Sequence, residues 1–540
     1  MMKKAIKKLL AALLAVAMLC AMAIPAFASE SWETEEDLGK NHCYDAFQIF
    51  KGDVSDDNTK ISHVEWGKNI PHPEDFLEKL TEVPTIGGEF ETNFTAQEAA
   101  AVISKWHDSD NNSIAFARFV CNYIYTDSNA DREPVIQGGH TGGFELPMAG
   151  YYLIVDTSPF SGGDSYHAYN SFLLKVNKDH YHVQITPKVV KPTVEKEVYD
   201  NDDGSSSGDN NGWGSSADHA INEEFQFRLI AKLPASEKGR AYDYYNEYAV
   251  LFNDTLSNGI TYDRLDSVVI ESKGKTYVIP NDSSKYTIGL ESQNYLVVKI
   301  PDVKACAKDA GFDLNDGATI TVTYTAHLNE NAAVNGSAEN KNSVRLQYSN
   351  NPRPDGEYWG YTPNYTPESE VYVYTYQLNN TKYRDEVNEN NKLEGAGFRL
   401  YSGKDCTKEQ EIKRKKNTTD GTYSPYFGAD AGDEMFSDEH GQFNVKGLDA
   451  GTYYLKETTT PEGFTPCSVI PPVTITANHN GNHVELDSSK LSTTIINKKA
   501  GGITLPSTGG IGTTIFYVVG GGLMVAAIVL LVTKKRMENK

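Results

Sequence analysis

The chain has 540 residues, 73 acidic against 50 basic side chains and a net charge of −23. Such an excess of negative charge repels a phosphate backbone and excludes nucleic acid as a partner. The six cysteines leave an odd number once Cys20 is assigned to the N-terminal apolar run, so no disulfide framework is implied, although Cys43 with Cys121 and Cys406 with Cys467 stay open as pairs.

The first element is a basic head, Lys3, Lys4, Lys7 and Lys8, followed by an apolar run from Leu9 to Ile24 and the small-residue exit Ala26-Phe27-Ala28. This pattern predicts a secretory signal peptide over 1–28. Runs rich in Tyr, Val, Thr and Ile, broken by Gly, Asn, Asp and Pro, then recur through the body, which predicts a mainly β protein of about three domains. A first domain, 29–188, is expected to carry helices over Ala96–Trp106 and Ile114–Tyr125 and to close on a strand from Tyr181 to Lys188. A second, 189–370, opens at Lys191-Pro192-Thr193-Val194, with Asp200–Asp218 read as a solvated loop inside it. A third, 371–500, begins with Val371–Tyr376, and tandem antiparallel immunoglobulin-like β-sandwiches are the expected fold of both. In the last segment, 501–540, Gly501-Gly502 is a spacer and Ile511–Val532 is almost wholly apolar, about 33 Å as a helix, which predicts a transmembrane span. Lys534, Lys535 and Arg536 favour the cytoplasmic side for the tail.

Side chains alternate along a strand, so neighbours two places away reveal a residue's face. By that test Lys196 lies inward between Val194 and Val198, Asp254 between Phe252 and Leu256, and Asn342 in line with Val344, Leu346 and Tyr348, while Ser343, Arg345 and Gln347 face water. The third domain repeats the trio: Lys382 with Tyr374, Tyr376 and Leu378, Glu457 with Tyr453 and Leu455, and Asn497 with Ile495. A buried salt bridge beside a hydrogen-bonded amide accounts for any one such group. Desolvating a lysine and a carboxyl nevertheless costs several kcal/mol, and two domains repeat the arrangement. Burial lowers the lysine pKa and raises that of the acid, so the pair can become neutral amine and neutral acid. The amine can then attack the asparagine side-chain carbonyl, with the acid moving protons and ammonia leaving. The product is an autocatalytic intramolecular Lys–Asn isopeptide bond, formed once and without turnover.

With these residues in place, the chain resembles the major (backbone) pilins of Gram-positive sortase-assembled pili. The resemblance rests on Leu505-Pro506-Ser507-Thr508-Gly509 with its apolar segment and basic tail, and on Phe252-Asn253-Asp254-Thr255-Leu256-Ser257-Asn258-Gly259. The third domain resembles the collagen-adhesin B-type fold through Leu393-Glu394-Gly395-Ala396-Gly397-Phe398 and the segment from Tyr453 to Phe464. The resemblance implies isopeptide bonds Lys382–Asn497, assisted by Glu457, and Lys196–Asn342, assisted by Asp254, with Asn350 as the alternative asparagine. It further implies that a sortase cleaves between Thr508 and Gly509. Thr508 is then joined to a lysine of the next subunit or to a peptidoglycan precursor. Thr186-Pro187-Lys188 is similar to the family's Y-P-K pilin motif with Thr in place of Tyr, which points to Lys188 and leaves Lys191 as a competitor. The implied partners are a class C pilin-polymerising sortase, a housekeeping sortase, neighbouring subunits, peptidoglycan and a host or matrix ligand.

The implied function is that of the shaft subunit of a covalently polymerised, wall-anchored pilus that supports adhesion. The alternative is a single wall-anchored adhesin, or an accessory or tip pilin, that does not polymerise. An enzyme is not expected, and neither is a metal or cofactor: His72, His107, His140 and His167 are scattered without metal spacing, and there is no G-x-S-x-G segment or phosphate loop.

Overall fold

The computed structural model describes residues 42–501 apart from 108–109, 141–142, 159–165, 167, 171, 184, 186–188, 202–211, 238 and 354–363, together with 523–532 and 534–535. The expected signal peptide, Lys188 and the whole Leu505–Gly509 pentapeptide, with Thr508, lie outside the described residues. Residues 523–532 of the expected span are helical, and no described helix is long and apolar enough to cross a membrane.

The N-terminal unit is an antiparallel sheet built around Cys43–Val54, which pairs with Ile61–Trp66, Ile136–His140 and Gly150–Asp156; Leu173–Asn177 adds to the last of these. Gly150–Asp156 is buried at all seven positions, with no alternation, because both faces of the sheet are covered. Phe76, Leu80, Ile103, Phe116 and Val120 from three helices pack on one face, while Tyr44, Tyr152, Phe144 and Val183 form a smaller core on the other. The expected helices run Ala96–Ile103 and Asn111–Thr126; the second starts early because Asp110 caps it, accepting from the Ser113 N–H. A third helix, Pro73–Thr81, has proline at its start and Glu74 and Asp75 in its first turn, where the positive end of the helix favours them.

The central unit is a sandwich of two six-stranded sheets. Thr193–Tyr199, Glu224–Leu233, Ala318–Leu328 and Ile260–Ser272 lie side by side in one; Val250–Leu256 and Lys341–Tyr348 are neighbours in the other. Their inner faces share one core, including Leu229, Val322, Phe252 and Leu346. The strand Ser369–Tyr374 pairs with Lys341–Tyr348, and Val371 and Val373 belong to this core. The Asp200–Asp218 stretch is not simply a solvated loop. Trp213–Gly214 and Ser216–Asp218 are short edge strands, and Asp200 and Asp218 are buried at its two ends. Ser343, expected to face water, is also buried.

After Ser369–Tyr374 and the single residue Thr375, the third unit begins with Tyr376–Arg384. This strand pairs antiparallel with Val445–Leu448 and parallel with Ser492–Asn497, placing Lys382 opposite Ile495 and Arg384 opposite Asn497. A second sheet of Gly397–Tyr401, Gly451–Thr459 and Val473–Ile475 closes over it around Leu378, Phe398, Val445 and Leu455. Cys406 and Cys467 hold free thiols.

Candidate functional site

In the third sandwich the strand pattern delivers three polar groups to one apolar pocket. Lys382 and Glu457 have side chains 0% and 1% exposed, and Asn497 is fully buried. Lys382 Nζ donates to Asn497 Oδ1 at 2.5 Å and to Glu457 Oε2 at 3.2 Å. Asn497 Nδ2 donates to Glu457 Oε1 at 2.6 Å, which closes a ring of three contacts. The turn at Gly441 holds the lysine strand from outside: the Lys382 N–H donates to the Gly441 carbonyl at 2.7 Å, and a Cβ at Gly441 would stand 2.4 Å from the Lys382 carbonyl oxygen. Burial pulls the Lys382 amine below its ordinary value, against the Glu457 carboxylate that pulls it back up.

The second sandwich assembles its group from both sheets. Lys196 comes from one, Asp254 and Asn342 from the other, and all three are buried. Lys196 Nζ donates to Asp254 Oδ1 at 2.6 Å and to the Tyr324 hydroxyl at 3.2 Å. The same hydroxyl donates to Asp254 Oδ2 at 2.6 Å and accepts from Asn342 Nδ2 at 2.6 Å. Asn342 Oδ1 is buried with no hydrogen-bond partner. Burial pushes Lys196 down to about 8, opposed by the charge and hydrogen bond of Asp254; burial likewise raises Asp254, opposed by Lys196. Both shifts drive the pair toward neutral amine and neutral acid.

Tyr324 is the participant that strand parity does not single out. It alternates inward with Ile320, Val322 and Ala326 as an ordinary core aromatic, and only its hydroxyl position reveals it. Asn350, the alternative asparagine, sits past the end of Lys341–Tyr348, where its carbonyl accepts from the Tyr169 N–H at 2.8 Å. Lys191 is half-buried, donating to the Tyr166 carbonyl at 2.9 Å with its amine over the Tyr166 ring. Of the strand expected from Tyr181, Tyr181–Val183 is formed, with His182 exposed and Val183 buried.

Fold and sites together define a tandem β-sandwich protein whose second and third units each hold a desolvated lysine, acid and asparagine. Residues 222–352 match the family described as Gram-positive pilin backbone subunit 2, Cna-B-like domain; 380–490 match the SpaA prealbumin-like fold domain; and 497–539 match the LPXTG cell wall anchor motif. The chain thus carries a segment similar to a Gram-positive pilin backbone domain, a prealbumin-like domain and a cell wall anchor motif. Similar solved structures include the T6 backbone pilin of Streptococcus pyogenes serotype M6, at 16% identity over 85% of this chain and 96% of that one, TM-score 0.46. The full-length major pilin RrgB of Streptococcus pneumoniae is 13% identical over 88% of this chain and 96% of its own, TM-score 0.39. The group B streptococcus pilus 2b backbone protein is 24% identical over 54% and 97%, TM-score 0.37. No match was found among curated proteins.

Proposed function

We propose that this chain is the repeating, load-bearing subunit of a covalent pilus shaft, crosslinked within its second and third sandwiches and joined end to end by sortases. The observation that carries this is the Lys382, Glu457 and Asn497 ring. A single carboxyl group touches both the amine that must lose a proton and the amide nitrogen that must gain one.

In that ring the Lys382 proton passes to Glu457, and the neutral Nζ attacks Asn497 Cγ. The Nζ–Cγ bond forms and the Cγ–Nδ2 bond breaks. The carboxyl returns its proton to Nδ2, ammonia leaves, and the second Nζ proton passes to the carboxylate, which ends as the neutral acid. In the second sandwich Asp254 takes the Lys196 proton and reaches the Asn342 amide through the Tyr324 hydroxyl. For assembly, a sortase cysteine attacks the Thr508 carbonyl, releases the segment from Gly509, and passes Thr508 to Lys188 of a neighbouring subunit or to a peptidoglycan precursor. Lys191 is a poorer acceptor because its amine is already held by Tyr166.

Intact mass of the secreted chain tests the crosslinks: each removes one ammonia, about 17 Da. Two losses are expected, falling to one in Lys382→Ala or in Lys196→Ala, and a wild-type chain at its full sequence mass refutes both bonds. Assembly is tested in the native host, where Lys188→Ala abolishes the high-mass ladder on denaturing gels and Lys191→Ala keeps it. A ladder unchanged in Lys188→Ala removes that lysine from the role.

A further inference from the structure

The seam between the second and third sandwiches gathers acids and imidazoles that neither crosslink uses. His219 follows the edge strand Ser216–Asp218 and is 1% exposed. Its Nε2 lies 2.7 Å from the Tyr199 carbonyl oxygen. A carbonyl only accepts, so Nε2 carries a proton, and in the neutral ring Nδ1 presents the lone pair a metal ion needs. The ring is fixed in this orientation by stacking on Phe225 at 4.2 Å and 2°. Nδ1 is buried without a hydrogen-bond partner and faces Glu223 Oε2 across 3.9 Å, too far for a hydrogen bond.

Asp449 approaches the same point from the third sandwich, in the turn between Val445–Leu448 and Gly451–Thr459. The ligand atoms of His219, Glu223 and Asp449 all lie within 4.8 Å of one another. We propose that these three side chains form a binding site for a divalent transition-metal cation that ties the second sandwich to the third.

Chemistry and geometry agree on the class of ion. One imidazole nitrogen with two carboxylates suits zinc or manganese, whereas calcium takes oxygen ligands alone. Donors on a tetrahedral zinc, with bonds of about 2.0–2.2 Å, stand about 3.4 Å apart, so the Nδ1 to Oε2 gap closes with a shift of about half an ångström. A carbonyl holding the far nitrogen of the ring is the usual support of a metal-bound histidine. The two carboxylates bring two negative charges to one imidazole, and a divalent ion balances them. Docking brings the ligands together independently of the ion: the Ile221 N–H donates to the Gly447 carbonyl at 3.0 Å, and Asn222 Nδ2 to the Pro425 carbonyl at 2.8 Å.

The test is calorimetric titration of the EDTA-treated mature chain with Zn2+ and, separately, Mn2+ and Ca2+. One Zn2+ or Mn2+ per chain is expected, weakened at least tenfold in both His219→Gln and Asp449→Asn, with His479→Gln retaining wild-type binding. Asp449 lies in a half-buried turn outside the hydrophobic core, so its variant reports on binding even if His219→Gln disturbs packing. Cobalt substitution adds a second readout, a visible d–d spectrum that Asp449→Asn alters. No saturable binding, Ca2+ binding alone, or binding lost in His479→Gln but kept in the other two variants overturns the proposal.

Discussion

The proposed crosslinks require a path for each lysine proton, and the two sandwiches offer different ones. In the third, Glu457 bridges Lys382 and Asn497 directly. In the second, the Tyr324 hydroxyl stands between Asp254 and Asn342, so the path from acid to amide has one more link. Replacing Tyr324 with Phe keeps the ring and removes the link. It strands Asn342 Nδ2 in the core, at a cost of about 1–3 kcal/mol for an unpaired buried group. Crosslinking of the second sandwich is expected to slow at least tenfold, read as a species about 17 Da heavier that persists after folding. Equal rates in variant and wild type would assign Tyr324 to packing alone. Lys196, Asp254, Asn342, Lys382, Glu457 and Asn497 were all legible from alternation, because a charged or amide side chain on an apolar face violates a pattern. Tyrosine obeys that pattern, so the contacts of its hydroxyl become visible only in three dimensions.

At the scale of elements, alternation is informative where one face of a strand meets water and silent where both are covered. Thr193–Tyr199 follows the expected alternation throughout. Ser216–Asp218 is buried at every position because the third sandwich covers it, and its Asp/Gly/Ser surroundings resemble a solvated loop. The hairpin of Ala477–Asn480 and His483–Leu486 reaches across to it: Ser216 Oγ contacts His479 Nδ1 at 2.9 Å, and His479 Nε2 lies 3.1 Å from Asp200 and 3.6 Å from Asp218. Burial alone would lower the His479 pKa, but the two aspartates close beside its ring outweigh it and push it up to about 10. A histidine whose pKa rises on folding stabilises the folded state fully below its unfolded value of about 6.5, and that stabilisation is lost as pH climbs through about 10. The melting temperature of the third sandwich is therefore expected to fall between these limits in wild type. His479→Gln should flatten that slope; a slope unchanged in the variant places the titration elsewhere.

For the molecule as a whole, the decisive feature is how tension crosses it. Only Thr375 separates Ser369–Tyr374 of the second sandwich from Tyr376–Arg384 of the third, and its buried hydroxyl donates to the Leu448 carbonyl. Composition and alternation predicted tandem sandwiches, but not this near-continuous strand, because Val371–Tyr376 reads as one apolar run whose first half packs in one core and whose end packs in the next. A pull along the chain enters the third sandwich on the strand that carries Lys382 and leaves on the one that ends at Asn497. With those side chains bonded, the load passes through the crosslink, and the 115-residue separation between them never comes under tension. In the entropy model for disulfides, a closure of that length stabilises by about 4 to 5 kcal/mol, a modest gain beside the mechanical one. Single-molecule stretching separates the two effects. Wild type is expected to show no extension from this unit at any force that spares covalent bonds, whereas Lys382→Ala adds a step of about 400 Å, the contour of the released segment at about 3.5 Å per residue. A wild-type trace containing that step would mean that the third sandwich bears load by hydrogen bonds alone.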